Sequence, residues 1–213
     1  MMRGMKKLLA AVGLLVATTA VADVLEPGKG LAGRSPEQLT VQWWQWAMSV
    51  PGSSGPVNDP TGANCAAGQN GDVWFLAGGF GSSKVRRSCE VPAGKFLFFP
   101  ILQKGDRSRT CDAARTGARL RMTDALELTA EIDGVPVPNP KRFRVSTQEC
   151  FDIYGKVSPM IGKAEPYPSA SDGYWLLVTP LAKGRHTVKF TARYGSVIAN
   201  GLEQDVEYEL KVN

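Results

Sequence analysis

The sequence predicts a mainly β fold, an antiparallel β-sandwich of the Ig-like or jelly-roll-like type with one amphipathic helix near the N-terminus. Roughly eight to ten short segments have the apolar patterns that are typical of strands. Gly, Pro, Asn and Asp mark turns between these segments. Only residues 36–49 carry a clear helix signal. Many short strands beside a single helix are typical of a sandwich and not of an α/β fold.

The helix has a defined start and a defined end. Ser35 is an N-cap residue, Pro36 occupies the first helical position, and Gln38 completes a capping box. The sequence Val50-Pro51-Gly52 ends the helix, because a proline disfavours helical backbone in the residue before it.

Three tryptophans lie on this helix, and their spacing places them on different faces. Trp43 and Trp46 share a face with Leu39, and we expect them to pack on the sheet. Trp44 belongs to a second apolar stripe and is expected to be the most exposed of the three. A sugar-stacking or membrane-interface role for the tryptophans is the alternative to burial.

The predicted strands follow three kinds of pattern. Continuous apolar runs predict buried strands at 73–77 and 95–101, and a more polar strand is expected at 85–91. Residues 104–124 are basic and irregular, with a short helix at 111–118. Alternation predicts strands at 126–132, 143–145, 175–179, 188–192 and 206–212. Asp133-Gly134 predicts a hairpin turn after the first of these.

The first 22 residues have the three parts of a secretory signal peptide. Arg3, Lys6 and Lys7 precede an apolar run at 8–17, and Ala20-Val21-Ala22 forms a cleavage site. We therefore expect a periplasmic or secreted protein with no membrane span in the mature chain. Residues 23–213 are expected to form a single domain; two β-rich halves joined near residue 115 are the alternative.

All four cysteines lie in the predicted mature chain, so two disulfides are expected in an exported protein. Three connectivities are possible. The pairs Cys65–Cys89 and Cys111–Cys150 are favoured because each encloses one block of predicted strands. A zinc site is disfavoured, since the chain has no Cys-x-x-Cys pair, and no metal or cofactor is expected.

The charge of the mature chain gives no reason to expect nucleic acid. The full chain has a net charge of +5, and removal of the signal peptide leaves 22 basic against 20 acidic residues, a net charge of about +2. The expected partner is an envelope or extracellular ligand whose identity the sequence does not give.

Several motifs resemble an uncharacterised family of bacterial exported proteins that carry signal peptides. They are Trp43-Trp44-Gln45-Trp46, Asp59-Pro60-Thr61-Gly62, the segment from Gly71 to Gly78, and the segment from Arg87 to Lys95. The resemblance is strongest over residues 40–101 and continues near 172–175 and 184–187. It implies export and a shared fold, and it assigns no catalytic or binding residue.

The candidate binding residues are five arginines in the basic segment: Arg107, Arg109, Arg115, Arg119 and Arg121. On a disulfide-tethered loop, guanidinium groups could bind carboxylates, sulfates or phosphates, although a solvated charged loop would have the same composition. His186, the single histidine, is expected to be structural and to lie at the start of a strand. No catalytic residue is identified.

Two functions remain open. The first is a non-enzymatic β-sandwich that binds a partner at the cell envelope. The alternative is a glycan hydrolase that uses paired carboxylates from loops, since glycosidases need two acids that converge in a cleft and leave no local motif. Its candidates are Asp59, Asp72, Asp106, Asp112, Asp152 and Asp172.

Overall fold

The computed structural model describes residues 23–50, 52–79, 84–121, 126–157, 167–195 and 201–213. Within these ranges two β-sheets pack against each other around one large apolar core, and a helix covers the outer face of the smaller sheet. The predicted mainly β sandwich is confirmed. The predicted signal peptide, residues 1–22, lies outside the described residues. No helix in the described ranges is long and apolar enough to cross a membrane.

The elements occur in the following order along the chain: α1 Pro36–Ala47, β1 Val73–Phe75, β2 Val85–Val91, β3 Phe96–Arg107, α2 Cys111–Ala118, β4 Leu126–Ile132, β5 Val135–Pro136, β6 Arg144–Ser146, β7 Ser169–Val178, β8 Gly184–Tyr194 and β9 Leu202–Val212. The smaller sheet has the order β1-β3-β7-β6, and the larger has the order β2-β9-β8-β4-β5. Most neighbouring strands are antiparallel, but β1 pairs with β3, and β2 with β9, in parallel.

The N-terminal capping box is present as predicted. The Ser35 hydroxyl accepts from the Gln38 amide at 3.2 Å, and the Gln38 side chain accepts from the Ser35 amide at 2.9 Å. The helix ends at Ala47, two residues before the predicted end. There the Ser49 hydroxyl donates to the Trp46 carbonyl at 2.7 Å and closes the last turn.

The prediction that Trp44 is the exposed tryptophan is wrong. Its exposed fraction is 7%, and its indole N–H donates to the Ser171 hydroxyl at 2.7 Å. The ring lies so close to Gly105 that a Cβ there would be 2.9 Å from it. Trp43 and Trp46 are buried as predicted, at 1% and 2%. Both apolar stripes of α1 are covered, because the helix lies between the smaller sheet and the loop that follows the helix.

Strand β7 is buried along its whole length, since α1 covers one of its faces and the rest of the sandwich covers the other. It pairs with β3 over most of both strands. The register shifts between Pro100 and Leu102, where β3 has a bulge. Proline lacks a backbone N–H, and a bulge is one of the few places where an inner strand accepts it.

The hairpin turn after β4 was predicted correctly, whereas the start of the strand expected at Phe143 was not. Asp133 and Gly134 have φ angles of 51° and 79°, as a tight hairpin turn between β4 and β5 requires, so that prediction is confirmed. Phe143 was expected in a strand with Val145. It ends a 3-10 helix instead, because Pro140 starts a helical turn there and β6 begins only at Arg144.

Arg87 ties the loop before β1 to the larger sheet. Its side chain is buried and donates to the carbonyls of Val57, Asp59, Ala77 and Gly78. A buried guanidinium is tolerated only when its donors are satisfied in this way. The predicted Cys65–Cys89 disulfide joins the same loop to β2.

This loop also covers the outer edge of β2. The Ser88 amide donates to the Thr61 carbonyl at 2.8 Å, and a Cβ on Gly62 would lie 2.5 Å from the Ser88 carbonyl oxygen. Edge strands with unpaired backbone groups invite aggregation, so a covering loop protects the sheet. The second predicted disulfide, Cys111–Cys150, is also confirmed and holds the start of α2.

We predict that Trp44→Ala destabilises the protein by about 3–5 kcal/mol, as removal of a buried large aromatic does. Chemical denaturation measures this change. The matched control is Val135→Ala, since Val135 is 53% exposed and its truncation should change stability by less than about 0.5 kcal/mol. A loss below about 1 kcal/mol for Trp44→Ala would contradict the burial described here.

Candidate functional site: an arginine-lined cavity

A large cavity lies beside α2, between this helix, β6 and the first half of β7. Its volume is about 840 Å³. Four arginines and two aspartates contribute to its lining: Arg115, Arg119, Arg121, Arg144, Asp112 and Asp172. The described lining residues therefore carry an excess of positive charge. We call this space the arginine cavity.

Helix α2 positions the first of these arginines. The Thr110 hydroxyl accepts from the Ala113 amide and caps the helix, and Ala114 and Ala118 pack inward against Ala170 of β7. Arg115 lies on the exposed side of the helix. Its guanidinium donates to Asp112 at 3.1 Å and to the Gln148 carbonyl at 2.9 Å, so Arg115 is held across the cavity rim.

The segment after α2 places two more arginines at the cavity. Leu120 is buried in the main core, and exposed Arg119 and Arg121 flank it. The backbone amide of Leu120 donates to Asp172 at 2.8 Å, and that of Arg121 donates to the Tyr194 hydroxyl at 2.7 Å. Two consecutive anchored amides fix the backbone from which these two guanidinium groups extend.

The side chains of Arg119 and Arg121 form no hydrogen bond or ion pair with any residue in the described ranges. The other two arginines of the cavity are engaged with protein acceptors. Each guanidinium has five N–H donors in a planar arrangement that suits two oxygens of a carboxylate, sulfate or phosphate. Arg119 and Arg121 are thus available to an external anion.

Asp172 forms the floor of the cavity. Its buried carboxylate accepts from Arg144 at 2.6 and 3.0 Å, from the Ser146 hydroxyl at 2.8 Å and from the Leu120 amide. Burial by itself would raise the pKa of Asp172, but the hydrogen bonds from Arg144, Leu120 and Ser146 outweigh it and lower the pKa. The same pairing raises the pKa of Arg144. The floor is therefore a fixed ion pair.

The other two predicted anion-binding arginines lie elsewhere. Arg107 is the last residue of β3, and its guanidinium stacks on the rings of Tyr154 and Tyr167, at 5.3 and 5.4 Å from their centroids. Arg109 is exposed in the turn before α2 and does not line the cavity. The structure thus brings together three of the five predicted residues and separates two from them.

Sequence reasoning missed Arg144 as a member of the site and misplaced Asp172. Arg144 follows the 3-10 helix that carries Lys141 and Arg142, and this basic run lies outside the segment 104–124 on which the prediction was based. Asp172 was expected in or beside a loop, because the small residues around it are typical of turns. It lies inside β7, where alternation of side chains points it to the same face as Ala170 and Tyr174.

The candidate aspartates of the hydrolase hypothesis have structural partners, and two more of them, Asp106 and Asp112, lie in β3 and α2 and not in loops. Asp59 accepts from the Thr61 and Asn64 amides, Asp72 pairs with Arg34, and Asp152 accepts from the Tyr154 amide. Asp106 accepts from Ser108, and Asp112 pairs with Arg115. Asp112 and Asp172 share the arginine cavity, where both are ion-paired to arginine.

For three of these aspartates, the direction of the pKa shift also disfavours a role as general acid. Burial acts to raise the pKa of Asp59, but its hydrogen bonds from Asn64 and Thr61 lower it. The hydrogen bond from Arg34 lowers the pKa of Asp72, as the donors described above do for Asp172. A glycosidase acid needs a raised pKa to carry its proton at neutral pH.

Both ring nitrogens of His186 have hydrogen-bond partners in this fold. It is the third residue of β8, near the predicted strand start, although β8 lies inside the larger sheet and not at its edge. Its Nδ1 lies 2.7 Å from Asp133, and its Nε2 lies 2.8 Å from the Ala182 carbonyl oxygen. The ring thus joins β8 to the hairpin turn. His186 also contributes to the lining of a second cavity, of about 420 Å³, on the outer face of the larger sheet.

No family model and no curated protein matches the chain. Two solved structures are similar over part of it. A cysteine protease inhibitor from Entamoeba histolytica is 16% identical, with 60% of this chain and 86% of that chain covered and a TM-score of 0.20. Amebosin is 8% identical, with 62% and 99% covered and a TM-score of 0.21. Structural overlap this small carries no argument about the site.

We predict that Asp172→Asn destabilises the protein by about 3–5 kcal/mol at neutral pH, because it leaves Arg144 without its charged partner. The pKa of Asp172 is lower in the folded protein than in the unfolded chain, where it is about 3.9. The charged carboxylate therefore stabilises the folded protein above about pH 3.9, and this contribution is lost as the pH falls through the folded-state pKa. The difference between wild type and variant should therefore shrink in acid below about pH 4.

Denaturation curves measured across this pH range test the prediction. Asp112→Asn is the control, since the Asp112 side chain is 90% exposed and its pair with Arg115 should contribute less than about 1 kcal/mol. A difference for Asp172→Asn that stays constant with pH would show that the carboxylate is not the source of the effect.

Proposed function

We propose that this protein is an exported, non-enzymatic β-sandwich that binds an anionic partner at the cell envelope through the arginine cavity. The proposal rests on the position and the surroundings of the Arg119 and Arg121 side chains. Both extend from anchored backbone into a basic cavity without an acceptor among the described residues. A carboxylate, sulfate or phosphate supplies the acceptor geometry that a guanidinium prefers.

The contrast with the outer face of the larger sheet supports this proposal. There basic and acidic side chains form cross-strand ion pairs, such as Lys84 with Asp205, Arg193 with Glu127, and Lys211 with Glu90. Paired charges on a solvated sheet satisfy one another and leave little attraction for a ligand. The arginine cavity concentrates unsatisfied positive charge in a concave space, where an anion is held more strongly.

Export is proposed from the sequence of residues 1–22 and from the two disulfides. Disulfides persist in oxidising compartments such as the periplasm and the extracellular space. The resemblance to exported bacterial proteins points to the same location. On this proposal the mature chain begins at Asp23 and meets its partner in the envelope or outside the cell.

We prefer a binding function over glycan hydrolysis because of the contacts that the six candidate aspartates make and the pKa shifts of three of them. Each has a structural partner, and the pKa values of Asp59, Asp72 and Asp172 are lowered, whereas a catalytic acid needs the opposite shift. The acidic members of the arginine cavity are engaged by Arg115 and Arg144. The second cavity is lined by Glu90, Asp133 and Glu209, of which Glu90 pairs with Lys211 and Asp133 lies beside His186.

The proposal predicts that binding of a polyanion depends on Arg119 and Arg121. We expect Arg119→Ala and Arg121→Ala each to weaken the binding of a sulfated oligosaccharide, used as a generic polyanion, by about tenfold at low salt. Calorimetric titration of protein secreted by the producing cell measures the dissociation constants. Added salt should weaken the wild-type interaction, since screening acts on exposed charge.

Arg109→Ala is the matched control, because it removes one exposed arginine from the same segment outside the cavity. It should leave the dissociation constant within about twofold. If all three variants weaken binding equally, the loss of affinity comes from the change in net charge, and the proposal of a defined site is wrong. Circular dichroism verifies that each variant is folded.

A further inference from the structure

We propose that the second cavity, on the outer face of the larger sheet, binds the free head group of an α-amino acid, in which an ammonium and a carboxylate share one carbon atom. In this arrangement Arg185 binds the carboxylate and Glu209 binds the ammonium. The second cavity and the arginine cavity have no described lining residue in common, so the inference is independent of the proposed anion binding.

The floor of the second cavity consists of two rows of side chains that cross β2, β9 and β8. Residues that pair across neighbouring strands lie side by side on one face of a sheet. The first row, which holds one carboxylate between two hydroxyl groups, is Ser88, Glu209 and Thr187. The second row, in which every side chain is charged, is Glu90, Lys211 and Arg185. The two rows are two residues apart along each strand, a separation of about 6.6–6.8 Å.

The first row suits an ammonium group. An ammonium has three N–H donors and no acceptor, so it needs a negative charge and further oxygen acceptors around it. Glu209 supplies the charge, and the hydroxyl groups of Ser88 and Thr187 lie on either side of it as further acceptors. The Glu209 side chain is exposed and forms no hydrogen bond or ion pair with a residue in the described ranges. Its carboxylate is therefore available to a ligand.

The second row suits a carboxylate at its Arg185 end. Lys211 is already paired with Glu90 at 2.8 Å, and Glu90 also accepts from Asn213. Arg185 is exposed and, within the part of the chain that the structure describes, its guanidinium has no acceptor. Arg185 and Glu209 are diagonal neighbours on β8 and β9, about 7–8 Å apart along the backbone surface, and they are not ion-paired with each other. A ligand that carries both charges can bridge them, since a guanidinium binds both oxygens of a carboxylate.

The charges of the second cavity favour a zwitterion over an ion of a single sign. The ionisable residues of its lining are the acids Glu90, Asp133 and Glu209, the bases Arg185 and Lys211, and His186. A polyanion would meet three carboxylates here, and a polycation would meet two bases, whereas a zwitterion meets the opposite charge at each end. The volume of about 420 Å³ lies in the range of small-molecule sites, which leaves room for atoms beyond the head group.

The test compares three small probes: L-alanine, L-alaninamide, which lacks the carboxylate, and N-acetyl-L-alanine, which lacks the ammonium. We expect L-alanine to bind the mature protein about tenfold more tightly than either analogue, as measured by NMR titration of the backbone amide resonances of Thr187 and Lys211. Arg185→Gln should make L-alanine and L-alaninamide bind equally, because the carboxylate loses its guanidinium partner. Glu209→Gln should do the same for L-alanine and N-acetyl-L-alanine, because the ammonium loses its counter-charge.

Lys189→Gln and Glu131→Gln are the matched controls. The two residues pair across β8 and β4, have no ion pair among the described residues and do not line the cavity. Each variant should leave the dissociation constant of L-alanine within about twofold. The inference is wrong if L-alanine gives no saturable shift, if the three probes bind equally, or if the controls weaken binding as much as Arg185→Gln does. Arg119→Ala should leave L-alanine binding unchanged, so failure here is distinguishable from failure of the proposed anion site.

Discussion

The carboxylate of Asp172 is the group on which the architecture of the site depends. It is buried on the central strand β7 and accepts hydrogen bonds from β6 and from the segment after α2. An isolated buried carboxylate would cost several kcal/mol, and the ion pair with Arg144 together with the neutral donors offsets this cost. Three distant parts of the chain are thereby joined at one point, and the arginine cavity is built around it.

The layers of the fold explain why this ion pair is sheltered. Helix α1 covers the outer face of the smaller sheet, with Trp43 donating to the Leu76 carbonyl and Trp44 to Ser171. The larger sheet closes the opposite face around Phe99 and Phe190, whose rings stack with centroids 5.2 Å apart. With both faces closed, β7 is buried along its whole length, and the Asp172 carboxylate is sheltered from solvent.

The disulfides act at the two places where long irregular segments meet the sandwich. Cys111–Cys150 ties the start of α2 to the chain that follows β6, so both walls of the arginine cavity are linked covalently. Cys65–Cys89 holds the loop that covers the edge of β2. Each crosslink restricts the unfolded chain and stabilises the native arrangement, by about 3–4 kcal/mol on the loop-entropy model.

Local patterns predicted the local structure of this chain well. The capping box at Ser35, the bounds of β2 and α2, the hairpin turn at Asp133 and both disulfides are present as expected. Each depends on residues close together in sequence, or on a simple pairing of cysteines. The alternating burial of β9 was likewise readable from its residues.

Features that depend on contacts between distant segments were not predictable in the same way. Trp44 is buried because β3 and β7 supply Gly105 and Ser171, and the helix pattern holds no information about either strand. Asp172 was assigned to a loop because polar and small residues are rare in a strand that is buried on both faces. Arg144 became part of the site only through its pairing with Asp172, for which the sequence has no local signal.

We propose that Asp172 and Arg144 shape a cavity in which Arg119 and Arg121 bind anions. The most direct test of this proposal is an NMR titration of the arginine side-chain Nε–Hε resonances with inorganic sulfate. We expect the Arg119 and Arg121 resonances to shift together and to saturate with one dissociation constant, while the resonance of Arg109 stays in place. Shifts of similar size at all three arginines, without saturation, would contradict it.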